Sequence, residues 1–259
     1  KAVNVGIRHT DTPYVLLLNN DTTVDPHFVR EMIRAIERSR YIFSVSSKMI
    51  QMYHPELIDS AGDLYTAIGW GICRGAGRSI TNYTEDCEIF SACAGAAIYR
   101  RELFKKIGYF DENHFAYLED IDVGYRAKIY GYKNVYCPSA LVYHVGSGTS
   151  GSKYNAFKVK LSARNNIYVN YKNMPVLQLL LNLLPLTAGY LVKWIFFLKI
   201  GFGKEYMEGI KEGFATCKEQ KKVSFNPLHL LNYCKIEVEL IANTFLYAKD
   251  WMQRKVLKG

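Results

Sequence analysis

The chain has 259 residues, of which 49% are apolar and 22% charged, a composition typical of a folded globular protein and not of a disordered one. Six cysteines in a chain of this length exclude a small disulfide-stabilised scaffold, and the absence of a CxxC pair argues against a zinc knuckle or a thioredoxin-like site. Scattered cysteines of this kind are typical of a reducing compartment. The net charge of +9 is uneven, since residues 1–150 carry 16 basic and 17 acidic side chains whereas residues 151–259 carry 17 and 7.

The first fifty residues predict two strands separated by a helix. The apolar run at residues 14–19 ends in polar side chains and predicts a buried, parallel strand. Residues 26–39 place apolar side chains at helical spacing after Asp25, a suitable N-cap, and predict an amphipathic helix. A second strand is expected at residues 43–50.

The middle of the chain predicts a long irregular segment followed by a strand and a helix. Residues 51–87 are rich in glycine, polar and aromatic residues, and loops of this length are usually functional. Residues 88–99 contain many small side chains and predict a tightly packed strand. Residues 101–107 predict a short helix that ends at Gly108.

The next segment predicts a loop, a helix and two short strands. The loop is expected at residues 110–117 and the helix, with acidic residues in its first turn, at residues 118–130. The strands are expected at residues 134–137 and 141–144. A flexible, glycine-rich loop is expected at residues 146–151.

The C-terminal part is basic and apolar, which predicts an anionic partner, either a membrane surface or nucleic acid. Residues 174–201 are long and apolar enough to span a bilayer, but a helix in the membrane interface or a bent hairpin is an equal alternative. The residues that interrupt the apolar stretch are Gln178, Asn182, Pro185 and Lys193.

Residues 226–257 predict a further amphipathic helix with basic residues at its end. Its expected apolar face consists of Leu230, Leu231, Cys234, Val238, Ile241, Phe245 and Trp251. The lysines alternate with long apolar stretches and no nucleic-acid-binding motif is present, so a membrane surface is favoured and no nucleic-acid partner is expected.

The first candidate site is formed by Asn19, Asn20 and Asp21, which follow the first strand. The carboxyl end of a strand is where open α/β sheets bind ligands, and a carboxylate with neighbouring oxygens suits a divalent cation. In the structural alternative, Asp21 forms an Asx-turn or caps the next helix. The spacing alone leaves both interpretations open.

The second candidate site contains Glu119, Asp120 and Asp122 at the start of a predicted helix. The helix dipole favours acidic residues there, which is a sufficient structural explanation. In the functional interpretation, one of them is a general base whose pKa is raised because the preceding aromatic loop excludes water. Glu119 and Asp122 share a helical face and Asp120 does not, so the acids can have different roles.

Three further residues are candidates for ligand contacts. His144 ends an apolar strand next to a glycine-rich loop, where an imidazole can contact a cation or a phosphate or be purely structural. Trp70 is either a platform for a sugar or a core residue, and Arg74 either contacts a phosphate or is solvated. Acids and a histidine alone are also compatible with a metal hydrolase, but the sequence offers too few ligands for one.

Taken in order, these motifs resemble the family 2 glycosyltransferases of GT-A fold, and most closely the bacterial rhamnosyltransferase-like members that build cell-surface polysaccharide. The resemblance covers residues 4–170 and is carried by residues 14–21, 94–97, 108–112 and 115–122 together with Arg126, Gly131, Pro138 and His144. It implies an α/β domain at residues 1–155, with a mixed, mostly parallel sheet flanked by helices. A helical, basic, membrane-associating region would follow at residues 156–259.

The resemblance also implies how the donor binds. Asp21 looks like the metal-binding aspartate of the family's DxD-type motif and would bind Mg²⁺ or Mn²⁺, with His144 near the metal and the diphosphate. Asn19 and Asn20, together with Asp21, would bind the nucleotide-sugar donor, for which dTDP-rhamnose is the family-level expectation.

On the acceptor side, Asp120 looks like the catalytic base of the family's ED motif. Glu119, Trp70 and Arg74 would contact the acceptor, a glycan or a lipid-linked saccharide. The implied reaction is an inverting transfer to an acceptor hydroxyl during polysaccharide synthesis.

In this family a segment upstream of the first strand supplies most of the contacts to the nucleoside, and here the chain begins shortly before that strand. We therefore expect a fragment of a longer protein, with a non-catalytic GT-A-like binding or scaffold module as the alternative function. The implied location is cytoplasmic, peripherally on the inner face of the plasma membrane, with contact through residues 174–201 and the basic C-terminal helix.

Overall fold

The computed structural model describes residues 1–146 and 154–256, so the predicted loop 146–151 lies outside the described residues except for Gly146. The chain forms two compact units. Unit 1 contains residues 1–64 and 72–155, and unit 2 contains residues 65–71 and 156–259.

Unit 1 is an α/β unit, and its elements alternate along the chain. Its helices are α1 (Ala2–His9), α2 (Phe28–Glu37), α3 (Phe104–Ile107) and α4 (Glu119–Ile129). Its strands are β1 (Tyr14–Leu18), β2 (Thr22–Val24), β3 (Ile42–Gln51), β4 (His54–Ser60), β7 (Cys87–Ile89), β8 (Ala96–Arg100) and β9 (Lys133–His144). Strands β5 (Asp63–Tyr65) and β6 (Gly71–Cys73) form a small separate pair, and each has one residue, Tyr65 or Gly71, that is assigned to unit 2.

The main sheet has the strand order β1-β8-β3-β9-β2, with β4 paired to β3 and β7 paired to β9. A mixed sheet flanked by helices is therefore confirmed. The expected predominance of parallel pairing is wrong, because among the described strand pairs of this sheet only β3 and β9 run parallel. The first strand, β1, was expected to be parallel but pairs antiparallel with β8, since an apolar run does not specify the direction of its neighbour.

Three expected boundaries are corrected by the pairing of the strands. The segment 51–87 contains β4, which pairs with β3, so it is not irregular throughout. The strand expected at residues 88–99 is divided into β7 and β8 by a turn at residues 91–95. The two strands expected at residues 134–137 and 141–144 are one strand, β9, whose register against β3 shifts between Ser47 and Lys48.

The predicted helices of unit 1 are confirmed, and both faces of the sheet are covered. Helix α2 begins at Phe28, and Asp25 Oδ1 accepts a hydrogen bond from the amide of His27 (2.8 Å) just before it. Phe28 and Met32 of α2 pack on one face of the sheet with Val45, while Phe43 packs on the other. Residues two positions apart in a regular strand share a face, so the opposite faces of Phe43 and Val45 reflect the register shift of β3 against β9 between Ile42 and Ser44.

Unit 2 is helical, with residues 65–71 packed among its helices. The helices are α5 (Ala156–Asn173), α6 (Val176–Leu181), α7 (Leu183–Lys199), α8 (Gly203–Thr216) and α9 (Leu230–Val256). Helices α5 and α8 approach closely at Gly209, where a Cβ atom would lie 2.2 Å from the carbonyl oxygen of Lys160. Over the described residues, no helix combines the length and the apolar character needed to cross a membrane.

Helix α9 does not bury the apolar face that the sequence suggested. The buried residues of α9 include Tyr233, Ile236 and Leu240, whereas Val238 and Phe245 of the expected face are 68% and 71% exposed. The sequence contains two apolar stripes on this helix, and only packing decides which of them is covered.

Candidate functional site

The ends of β1 and β9 bring Asn19, Asp21 and His144 together. Strand β1 leads into Asn19, whose amide donates to the carbonyl oxygen of Gly95 (2.9 Å). Antiparallel pairing of β2 with β9 places Thr22 opposite His144. As a result, His144 Nε2 lies 3.2 Å from Asp21 Oδ1 and 3.5 Å from Asn19 Nδ2.

The other ring nitrogen of His144 is held by Asp59, a residue that the sequence analysis did not single out. His144 Nδ1 lies 2.8 Å from Asp59 Oδ2 at the end of β4. The hydrogen bond to Asp59, followed by the charges of Asp59 and Asp21, raises the pKa of His144. The signal in the sequence for Asp59 is a pair of acids, Asp59 and Asp63, around Gly62 within the segment predicted to be irregular.

The carboxylate, the imidazole and the partly buried acid behind it fit a divalent cation. Asp21 and His144 converge on one point, and their side chains are 22% and 13% exposed, so a ligand can still reach them. A carboxylate that holds the second nitrogen of a metal-binding histidine fixes the ring and its tautomer. This is the relation between Asp59 and His144. Asn20 is exposed beside them.

Glu119 and Asp120 open helix α4 after a strained turn. Leu118, at the N-cap of α4, and Phe115 and Tyr117 before it all have positive φ values between 62° and 69°, a conformation costing on the order of 1–3 kcal/mol per residue. Phe115 is 79% exposed and does not cover the acids, whereas Tyr117 is half-buried, and burial followed by the charge of Glu119 raises the pKa of Tyr117.

Asp120 is partly buried, and backbone amides stabilise its charged form. Asp120 Oδ1 accepts a hydrogen bond from the amide of Ile121 (2.8 Å), and the amide of Ala94 donates to the same carboxylate. Burial outweighs these bonds, so the pKa of Asp120 is raised. The pKa of Glu119 rises to about 8, again first through burial and then through the charge of Asp120.

The turn at residues 91–95 connects the two groups of side chains. Its Ala94 amide binds Asp120, and its Gly95 carbonyl receives the Asn19 amide. The turn lies directly beneath α4, where a Cβ atom on Gly124 would come within 2.4 Å of Ser91 Cβ. The small side chains of this segment are therefore required by the close approach of the helix.

The third acid, Asp122, has a structural role. Its side chain is fully buried and Asp122 Oδ2 accepts hydrogen bonds from Arg126 Nε (3.1 Å) and Nη2 (2.8 Å). Arg126 also donates to the carbonyl oxygens of Ile107, Gly108 and Tyr109. This pair fixes α4 to the turn that follows α3, and it leaves Asp120 as the acid that faces the turn at residues 91–95.

Trp70 and Arg74, the expected acceptor contacts, are both engaged with protein groups. Trp70 belongs to unit 2, where its Nε1 donates to the carbonyl oxygen of Gly189 (3.1 Å). Arg74 belongs to unit 1, where its guanidinium lies over the rings of Tyr83 and Tyr136 at 4.9 and 5.2 Å. Their binding of an acceptor stays a prediction.

Comparison with known proteins decides the family. The model of glycosyl transferase family group 2 matches residues 14–202, which is most of the chain. The chain belongs to this family. Its resemblance to family 2 glycosyltransferases, expected from the motifs, is thereby confirmed.

Two relatives of this family 2 chain are rhamnosyltransferases. It is 44% identical over 52 residues to N-acetylglucosaminyl-diphospho-decaprenol L-rhamnosyltransferase of Mycobacterium tuberculosis, a match that covers 20% of the chain and 17% of the relative. It is 26% identical over 144 residues to rhamnosyltransferase WbbL of Escherichia coli K12, which covers 53% of the chain and 54% of that relative. The chain thus spans only part of the length of each relative.

The fold agrees with this assignment. The solved structure of GalNAc-T7 with UDP, GalNAc and Mn²⁺ superposes with a TM-score of 0.50 at 16% identity, over 65% of this chain and 33% of that one. At this identity the similarity concerns the fold alone, and it is the GT-A fold expected from the sequence.

Proposed function

We propose that this family 2 chain contains the catalytic acid–base and metal-binding residues of an inverting glycosyltransferase that uses a nucleotide-diphosphate sugar. Rhamnose is the sugar we favour, because two relatives are named rhamnosyltransferases. The observation that carries the proposal is that Asn19 and Asp120 are tied to adjacent residues, Gly95 and Ala94, of one turn. This turn brings the Asp21–His144 pair and the candidate base to the same end of the sheet.

In this proposal Asp21 and His144 hold a divalent cation, Mg²⁺ or Mn²⁺. The bound cation would supply positive charge that stabilises the diphosphate as it leaves. Asp59 keeps His144 in place by binding its Nδ1, which directs Nε2 toward Asp21. Asn19 lies beside this pair and is suited to contact the donor.

Asp120 would act as the general base. It takes the proton of an acceptor hydroxyl while that oxygen forms a bond to the anomeric carbon of the sugar. The bond from the anomeric carbon to the diphosphate oxygen breaks, and its electron pair leaves with the nucleoside diphosphate. Attack opposite to the leaving group inverts the anomeric carbon. Glu119, the neighbour of Asp120, would contact the acceptor.

Calorimetric titration of Mn²⁺, with and without UDP or dTDP, tests the metal site. We expect Asp21→Ala to weaken Mn²⁺ binding by about tenfold or more, since loss of a residue that merely supports a metal ligand already costs that much. The exposed Asp11 of the same unit provides the control Asp11→Ala, which we expect to bind like the wild type. Equal Mn²⁺ affinity in the two variants would contradict the proposal.

The alternative function is a non-catalytic binding module with the same fold. Asp120→Asn separates the two, because it removes the base and leaves the Asp21–His144 pair intact. We expect this variant to keep Mn²⁺ and nucleotide binding and to lose sugar transfer from dTDP-rhamnose. Nucleotide binding without transfer by the wild type, over a panel of nucleotide sugars and saccharide acceptors, would favour the binding module.

We further propose that unit 2 lies on an anionic membrane surface, which suits a lipid-linked acceptor. Helix α6 and its junction with α7 turn two polar side chains inward, while many apolar side chains of α6 and α7 stay exposed. Gln178 and Asn182 are 6% and 1% exposed and donate to Glu237 of α9 at 2.8 and 2.9 Å, whereas Leu177 and Leu184 are 76% and 81% exposed. This inversion is what a lipid-facing helix pair requires.

The charge of unit 2 complements an anionic surface. Exposed lysines accompany the apolar faces, among them Lys199 at the end of α7 and Lys235 and Lys249 on α9. Each lysine near an anionic bilayer contributes on the order of 1 kcal/mol. The apolar area and the positive charge together therefore favour a bilayer of anionic lipid over a second copy of the chain.

Flotation with vesicles tests this surface. We expect the chain to float with vesicles containing phosphatidylglycerol and less with pure phosphatidylcholine, and we expect Leu177→Gln combined with Leu184→Gln to abolish flotation. The matched control exchanges exposed aromatic residues of unit 1, Tyr53→Gln and Phe115→Gln, which are 72% and 79% exposed in the parent chain. Concentration-dependent dimerisation without flotation would contradict the proposal and favour a second copy.

A further inference from the structure

The buried side of Asp120 contains a second carboxyl group, that of Asp63. The position of Asp63 is fixed by its backbone, which exchanges hydrogen bonds with residues 90–91: the Asp63 amide donates to Ser91 O (2.9 Å) and Asp63 O accepts from the Phe90 amide (3.0 Å). Asp63 is 8% exposed. One carboxylate oxygen of Asp63, one of Asp120 and the thiol of Cys93 all lie within 4.8 Å of one another.

One oxygen of Asp63 has no donor to satisfy it. Over the part of the chain that the structure describes, no group donates a hydrogen bond to Asp63 Oδ2, although the atom is fully enclosed. A buried carboxylate oxygen without a donor loses its hydration and gains no hydrogen bond in return, so an ionised Asp63 is unfavourable here. A protonated Asp63 removes the difficulty, because its O–H becomes a donor.

The groups around Asp63 also disfavour a second negative charge. Asp120 and Glu119 face it from α4, Cys93 from the turn at residues 91–95 and Cys73 from β6, with Asp59 and Tyr99 in the next layer. Burial, followed by the charge of Asp120, raises the pKa of Asp63 well above its usual range. Burial and the charge of Asp120 thus both favour the protonated form of Asp63, which is also the form that satisfies its enclosed Oδ2.

The two carboxyl groups have different surroundings, which decides where the proton lies. Asp120 receives backbone amides, among them those of Ile121 and Ala94, and these favour its charged form. Asp63 Oδ2 receives none, and the Ser91 hydroxyl has only a smaller, opposing effect on the Asp63 carboxyl group. We infer that Asp63 holds a proton at neutral pH, donates it in a hydrogen bond to the carboxylate of Asp120, and thereby acts as a positioning residue for that carboxylate.

This inference adds a residue to the reaction machinery and rests on the proposed function only for the role of Asp120 as base. The hydrogen bond from Asp63 occupies one part of the Asp120 carboxylate and leaves the remaining lone pairs for an acceptor hydroxyl. It also lowers the pKa of Asp120, because it stabilises the ionised form. Without that donor, Asp120 would stay protonated to a higher pH and would be a weaker base at neutral pH.

Two variants of Asp63 separate the hydrogen bond from the charge and the volume. Asp63→Asn keeps a donor that can bind Asp120, and we expect the pKa of Asp120 to stay close to the wild-type value. Asp63→Leu has a similar size but no donor, and we expect the proton affinity of Asp120 to rise about tenfold. Asp120→Asn removes the negative charge, and we expect the proton affinity of Asp63 to fall about tenfold or more.

The measurement is a pH titration of the intact chain with ¹³C-labelled aspartate carboxyl groups, followed by NMR. The resonances of Asp63 and Asp120 are assigned from the variants. The inference is supported if Asp63 is protonated at pH 7 and if Asp63→Leu, but not Asp63→Asn, moves the titration of Asp120 upward. An Asp63 that titrates in the ordinary range near pH 4 would overturn it.

Two further outcomes keep the test decisive. If Asp63→Leu does not fold, the comparison of wild type with Asp120→Asn still reports the coupling, and an unchanged Asp63 titration would overturn the inference. Stoichiometric Zn²⁺ that perturbs both carboxyl resonances at neutral pH would also overturn it, because a metal would then replace the shared proton.

Sugar transfer distinguishes this inference from the proposed function. We expect Asp63→Leu to shift the acidic limb of the pH–rate profile to higher pH and Asp63→Asn to restore it. If Asp120→Asn still transfers sugar, the proposed function fails while the shared proton remains supported by the titration. If the titrations are independent while Asp120→Asn is inactive, the proposed function stands and the role of Asp63 fails.

Discussion

The ion pair between Asp122 and Arg126 gives the sharpest test of how helix α4 is held. Both side chains are buried, at 0% and 4% exposure. Asp122→Asn keeps the shape of the site but removes the negative charge, so the guanidinium remains buried without a counter-charge. Removing one partner of a buried ion pair costs about 3–5 kcal/mol, a large part of the roughly 5–15 kcal/mol that stabilises a typical domain.

Hydrogen exchange followed by mass spectrometry measures this cost within unit 1. Because about 1.4 kcal/mol corresponds to a factor of ten, the slowest amides of α4 and β9 should exchange roughly a hundred to a few thousand times faster in Asp122→Asn. Exchange reports each peptide separately, so unfolding of unit 2 does not obscure the result.

The exposed pair of Arg38 and Asp86 provides the control. Its atoms are as close, at 2.7 Å between Arg38 Nη1 and Asp86 Oδ2, but the two side chains are 52% and 47% exposed. We expect Asp86→Asn to cost about 0–1 kcal/mol. If Asp122→Asn costs no more than Asp86→Asn, the three backbone carbonyls alone satisfy the guanidinium, and the reasoning from buried charge is refuted.

Two further predictions concern packing and pH. Gly124→Ala should destabilise unit 1 by about 1–3 kcal/mol, because the new Cβ would lie 2.4 Å from Ser91 Cβ. The control is Gly6→Ala in α1, where a Cβ would have nothing within 4 Å and the exchange should be neutral or stabilising. Equal thermal melting temperatures of the two variants would contradict this prediction. Burial lowers the pKa of Lys193, which lies over the ring of Trp70, from 10.5 to about 8. Between these two pKa values the folded chain binds fewer protons than the unfolded chain, so the free energy of unfolding should rise with pH across that window. Urea unfolding at pH 8 and pH 10 measures this rise, and Lys193→Met should remove it.

The sequence by itself determined the family, the order of most elements and the residues of the main candidate site. Apolar periodicity was enough for α2, and the acidic first turn was enough for α4, because both are local properties of the chain. The polar residues after β1 and at the end of β9 were also identified correctly as neighbours of strand ends, and the structure places Asp21 and His144 3.2 Å apart.

Strand direction and strand boundaries were decided by tertiary structure. Strand β1 lies antiparallel to β8, and β9 continues through the register shift opposite Ser47 and Lys48. These features depend on which strands become neighbours, and an apolar run does not encode its neighbour. The same reason explains why β4 was missed within the glycine-rich segment.

The supporting acids were also decided by tertiary structure. Asp59 and Asp63 come from a segment that looked irregular, yet one holds His144 and the other lies against Asp120. Asp122 looked like a candidate base and proved to be the partner of a buried arginine. An acidic side chain has the same sequence signal whether it meets an imidazole, a guanidinium or another carboxyl group, and only the folded chain brings that partner to it.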